Sequence, residues 1–139
     1  MSVTTTTQRV QYTGDTTTTL FSFSFRVYAS TDITVYTTTS GVDNLNVLTT
    51  DYSVTVNATT ASPGGSITMV TAPGSDTTVT MYRDLSQVQS TAYTVGGPFP
   101  AAAHEQALDK LTLMVQDLSE RIDRRIPDYD VTSSGTAAY

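Results

Sequence analysis

The chain has no cysteine. Disulfides, thiol catalysis and thiolate zinc sites are therefore excluded. Lysine occurs once, at Lys110, and the arginines ahead of it are Arg9, Arg26 and Arg83. Affinity for nucleic acid rests on clustered cations that neutralise phosphate. At a net charge of −6 this chain supplies none, so no nucleic-acid partner is expected. No basic-then-apolar segment opens the chain, which argues against a signal peptide. No apolar run approaches the roughly 20 residues that span a bilayer, and no membrane partner is expected. There is no Gly-Xaa-Ser-Xaa-Gly elbow, no pair of histidines and no Glu-rich cleft signature. Gly64-Gly65 and Gly96-Gly97 lack the spacing and lysine of a phosphate loop and read as turns. No catalytic activity and no cofactor are expected.

What is abundant is threonine, with 29 copies beside 14 serines in 139 residues. Threonine is β-branched and suits pleated, half-buried surface. An apolar fraction of 38% is thin for a large private core, so the fold gains from burying surface against neighbours.

Residues 8–13 alternate, with Val10 and Tyr12 on one face, and Gly14-Asp15 signals a turn. Phe21, Phe23 and Phe25, separated by Ser22 and Ser24, give the clearest strand signal, ending at Val27 and Tyr28. Ile33, Val35 and Thr37 mark another strand. Residues 39–46 read as a turn or loop around Gly41, Asp43 and Asn44. Strands are expected at Tyr52-Val54-Val56, at Ile67-Met69, and at Val79-Met81-Arg83, which share one face. The turns between them lie at 58–65 and 73–76. Six or so short strands at roughly ten-residue intervals indicate a small antiparallel sandwich or barrel, the sandwich being the expectation.

Residues 84–99 form an irregular connector. Pro100 suits the first turn of a helix, and Pro127 prevents Ile126 from continuing it. Within 100–126, Leu108, Leu111, Val115, Leu118 and Ile122 recur at spacings of 3, 4, 3 and 4. That is a heptad seam, which leaves water when copies of the helix wrap together. The bland alternative is an amphipathic helix packed on its own sheet. Ala101, Ala102 and Ala103 permit close helix approach. Val115 at an a position with Leu111 and Leu118 at d positions does not decide dimer against trimer. The expected fold class is thus α+β. A flexible arm (1–7) precedes a β domain with connector (8–99), followed by the heptad helix (100–126) and a C-terminal tail (127–139).

The order of features resembles a known family. A Phe-rich alternating strand (Phe21, Phe23, Phe25, Tyr28) precedes Thr50-Asp51-Tyr52 and a valine strand. A strand ending in Arg83 follows, then Gln89, then Phe99-Pro100 leading into a helix with Leu108-Asp109, Gln116 and the arginines Arg121, Arg124 and Arg125. Over residues 8–126 this is similar to the N-terminal virion-attachment domain of tail fibres and tailspikes from short-tailed, autographivirus-type bacteriophages. Ser24 stands near the place where that family often carries a proline. The resemblance implies a homotrimeric module in the virion that docks a fibre onto tail adaptor and nozzle proteins, with the seam as its trimerisation element. Such fibres usually run on for hundreds of residues, whereas the tail here has thirteen. Two expectations follow: a fibre adaptor whose tail meets a separate receptor-binding spike, or a fragment of a longer fibre. A carbohydrate- or host-surface-binding β domain is the rival reading, motivated by the aromatics; Tyr28, Tyr36, Tyr82 and Tyr93 are placed on or near the sheet surface.

His104 occupies the d position upstream of the seam. A catalytic role needs a partner held beside it, and Glu105, adjacent on the helix, does not face it. Three copies of His104 on one axis offer an ion site; a capping or solvated histidine is the simpler expectation. Asp128 and Asp130 lack the further oxygen ligands of a calcium loop, so no metal is expected. Asp123 with Arg124 and Arg125 is expected to form surface ion pairs. Asn57-Ala58-Thr59 matches a glycosylation sequon that arises easily by chance in so threonine-rich a chain.

Overall fold

A computed structural model describes residues 3–57 and 62–125. Its strands are β1 (Arg9–Thr13), β2 (Leu20–Phe23), β3 (Ile33–Thr39), β4 (Val42–Leu45), β5 (Tyr52–Val56), β6 (Gly65–Met69) and β7 (Thr77–Arg83), followed by the helix α1 (Ala101–Arg125). All strand pairs are antiparallel. One sheet has the order β1-β7-β3-β4 and the other β2-β6-β5. The class, antiparallel β followed by one C-terminal helix, is as expected.

Period-2 alternation explains the core. Phe21 and Phe23 point inward from β2 while Leu20 and Ser22 point out. Val79 and Met81 do the same from β7, Ile33 and Val35 from β3, and Ile67 and Met69 from β6. With Tyr52, Phe25 and Val27 they form one buried cluster fed by both sheets. Tyr52 brings a hydroxyl into that cluster and satisfies it by donating to the Ile33 carbonyl at 3.0 Å, as a buried polar group requires.

Two strand expectations need correction. Residues 42–45 are not a loop: β4 pairs with β3 from Tyr36↔Leu45 to Thr39↔Val42, with Ser40 (φ 52°) and Gly41 (φ 79°) turning between them. Two consecutive positive φ values make the hairpin turn that matches strand twist. The aromatic strand is shorter than its alternation. It stops at Phe23, and Phe25 and Val27 are buried from an irregular segment. That segment closes on a 3-10 turn at Ser30–Asp32, where the Asp32 carboxylate accepts from the backbone N–H groups of Tyr28 and Ala29 at 3.0 and 2.9 Å. β2 ends where its partner does, since β6 begins at Gly65 opposite Phe23. Gly64 (φ 110°) lies so close to the Phe23 carbonyl that a Cβ there would collide with it.

The turn after β1 is held by Asp15. Its carboxylate accepts from the Thr17 and Thr18 N–H groups at 2.9 and 2.6 Å and from the Thr18 hydroxyl at 2.6 Å. These bonds, the Thr18 hydroxyl foremost, lower its pKa from 3.8 to about 2. A folded-state value below the unfolded one means that the stabilisation is complete above pH 4 and fades as pH falls toward 2. Asp15→Asn should therefore flatten the decline of thermal stability between pH 4 and pH 2, read by circular dichroism melts of variant and parent. In the core, Phe25→Ala should cost about 3–5 kcal/mol in denaturant unfolding. Leu20→Ala, on the exposed face of β2, should stay within about 0.5 kcal/mol.

Candidate assembly interface

α1 runs for 25 residues, and its seam from Leu108 to Ile122 covers about 21 Å of axis. The five seam residues are exposed: Leu108 52%, Leu111 53%, Val115 66%, Leu118 58% and Ile122 45%. The helix nevertheless lies against its own β domain, and it does so by a different stripe. Asp109, Leu113 and Asp117 are the buried positions of α1. At 100° per residue, Leu113 and Asp117 lie about 160° either side from Val115. The helix thus turns its polar face inward and its apolar seam outward. The alternative of a seam packed on its own sheet is not what the structure holds.

The inward face meets arginines. Arg83 closes β7 on the same face as Val79 and Met81 and is 2% exposed. Its Nε donates to Asp117 Oδ1 at 2.8 Å, and its Nη2 lies 2.8 Å from the same oxygen. Nη2 also donates to the Leu113 carbonyl at 3.3 Å and to Gln116 Oε1 at 3.2 Å, and Nη1 to the Arg26 carbonyl at 3.4 Å. A guanidinium presents five donors in a fixed fork, and here the helix takes three of them, through Asp117, Leu113 and Gln116. Burial pushes the Asp117 carboxyl up, against the opposing pull of Arg83; its second oxygen, Oδ2, is buried without a hydrogen-bond partner. One turn pair earlier, Arg26 faces Asp109 at 3.5 Å.

Around these pairs the contacts are peripheral. Gln8 donates to the Gln116 carbonyl and Gln116 donates to the Thr5 carbonyl, each at 3.1 Å, so the N-terminal arm meets the helix. Arg121 pairs with Asp84 at 2.6 Å. Arg124 pairs with Glu120, one turn back, rather than with its neighbour Asp123, and its guanidinium sits 5.6 Å from the centre of the Tyr82 ring. Lys110 donates to the Val88 carbonyl of the connector.

The other candidates fall as follows. His104 is half-buried at the start of α1. Its Nδ1 lies 2.9 Å from the Tyr93 hydroxyl, and its ring meets Phe99 at 5.2 Å. Among the described residues no cluster of three metal-ligating side chains exists. Asp128 and Asp130, and the tail as a whole, lie outside the described residues. Asn57 is described and exposed, but Ala58 and Thr59 are not. Tyr36 and Tyr82 stack 6.0 Å apart on the outer face of the four-stranded sheet. They floor a groove of about 730 Å³ with Arg9, Gln11, Asp43 and Arg124 on its walls. Sequence reasoning missed the Arg–Asp pairs. The signals were present: an arginine in phase with Val79 and Met81, and Asp109, Leu113 and Asp117 spaced four apart.

No protein-family model matches the chain. The chain is 29% identical over 118 residues, 85% of its length, to the tail spike protein of Salmonella phage epsilon15. It spans 11% of the length of that protein. The similarity supports a bacteriophage tail structural protein located in the virion tail, a coarser class than the autographivirus-type attachment domain that the motifs resemble.

Removing one partner of a buried pair leaves the other charge stranded. Asp117→Leu alone should lower stability by about 3–5 kcal/mol in denaturant unfolding. Asp84→Ala, whose partner Arg121 is more than one-third exposed, should cost no more than about 1 kcal/mol.

Proposed function

We propose that this chain is a structural attachment module of a phage tail fibre or spike, or a fibre adaptor. In this reading it fastens the receptor-binding part to tail adaptor and nozzle proteins. Three copies gather through α1 into a helical bundle. The two sheets of each copy close as a small sandwich around their shared core and hang on the outside of that bundle. The observation that carries the reading is the heptad seam left in water on a helix already docked by its opposite face. A docked amphipathic helix ordinarily hides its apolar stripe; here hiding it requires another molecule. Each seam leucine or isoleucine that becomes fully buried contributes up to roughly 1.5–3 kcal/mol. The number three and the identity of the docking proteins come from family resemblance. The similarity to a tail spike protein supports the virion setting. No catalytic role, metal or cofactor is assigned to this module.

A second reading has one observation in its favour. The groove over Tyr36 and Tyr82 combines aromatic rings, the Asp43 carboxylate, the Gln11 amide and threonine hydroxyls, a lining suited to a glycan. A glycan array with the isolated protein separates the two: selective binding moves the assignment to a carbohydrate-binding domain.

The main reading predicts that the parent protein is an oligomer by light scattering. Replacing Leu111 and Leu118 together with aspartate should give a folded monomer. An unchanged mass in that variant, or a parent that is monomeric and folded, defeats it.

A further inference from the structure

We propose that the buried Arg83–Asp117 pair and the looser, partly exposed Arg26–Asp109 contact are positioning residues for assembly: they clock α1 so that its seam cannot turn inward onto its own β domain. The inference rests on self-association through the seam, and adds what keeps the seam available. Apolar attraction has no direction. Most of the large apolar side chains of α1 lie on the outward stripe, while Leu113 is the one apolar side chain it buries fully against the domain. Hydrophobicity alone therefore favours the helix the other way round, with Leu108, Leu111, Val115, Leu118 and Ile122 on the β domain and no surface left for a second copy. Rotating α1 by half a turn takes Asp109 and Asp117 away from their arginines. Arg83, 2% exposed, then sits at the end of β7 among Val79 and Met81 with no counter-charge, and its Nε and Nη2 lose the Asp117, Leu113 and Gln116 acceptors together. An unpaired buried guanidinium is among the most costly groups a core can hold. The pairs act less as glue than as a penalty on the wrong orientation, the role in which buried polar groups are best attested.

The chain contains no cysteine, so single reporters can be read without background. Leu118→Cys on the seam and Ser119→Cys beside it are introduced into the parent, and disulfide-linked dimers are quantified after mild oxidation. Cross-linking should favour the seam position. The same reporters are then placed on Arg83→Met with Asp117→Leu, a replacement by apolar side chains that removes both charges at once. The folded variant should lose the seam preference by about tenfold, and its mass should shift toward monomer while its melting temperature holds or rises. A folded variant that cross-links at Leu118→Cys with parental yield and selectivity overturns the proposal. Should that variant not fold, Arg26→Met with Asp109→Leu, at the less buried pair, is read the same way, and parental behaviour there overturns it equally. A merely structural role would move the melting temperature and leave the reporter ratio untouched. A parent that stays monomeric with neither position cross-linking defeats self-association itself. That outcome is distinct from an assembled variant indifferent to the pairs.

Discussion

Arg83 ends a strand whose other inward side chains are apolar, and a guanidinium in that place requires an acceptor set that the sheet does not have. α1 supplies it: the Asp117 carboxylate, the Leu113 carbonyl and the Gln116 amide oxygen all reach the same fork. Much else follows from that requirement. The helix must lie across the end of β7, at one rotation about its axis. Leu113 is carried into the space between the two aspartates, and the seam is left on the far side. The connector 84–100 spans from the end of β7 to the start of the helix, burying Leu85 and touching α1 through Asp84, Val88 and Tyr93 on the way.

This arrangement reverses the usual division of labour on an amphipathic helix, in which the apolar stripe faces the core and charges face water. Reversal is tolerable because the buried charges arrive in pairs and because one apolar residue, Leu113, separates them. It makes intramolecular docking specific rather than strong. The seam, on the opposite face of the same element, takes no part in that docking and stays exposed.

The repeating features were legible in the sequence. Phe21, Phe23, Val79, Met81 and the heptad residues announce themselves by period, and the structure places each on the face that its period assigns. β4 escaped because Val42-Asp43-Asn44-Leu45 is half turn formers, and its strand character comes only from pairing with β3. Phe25 kept the alternation but left the strand, since β6 begins opposite Phe23 and offers no ladder beyond it. Asp109 and Asp117 drew no structural expectation because charge on a helix is normally solvated; what buries Asp117 is a long-range partner 34 residues away in sequence. The in-phase arginine of β7 pointed to it, but no local pattern states which carboxylate answers. The seam was visible as a stripe, whereas the direction in which it faces was set by the other side of the helix.

β7 lies inside its sheet, with β1 on one flank and β3 on the other, along registers of five and seven residues. α1 is fastened at the end of this interior strand, through both the connector and the Arg83 fork. Tension drawn along the helix therefore enters the domain at β7, and two hydrogen-bonded ladders must yield together before the strand can slip. An edge strand would have a single ladder to hold it, so in the proposed tail coupling the load falls on the strand that is held on both sides.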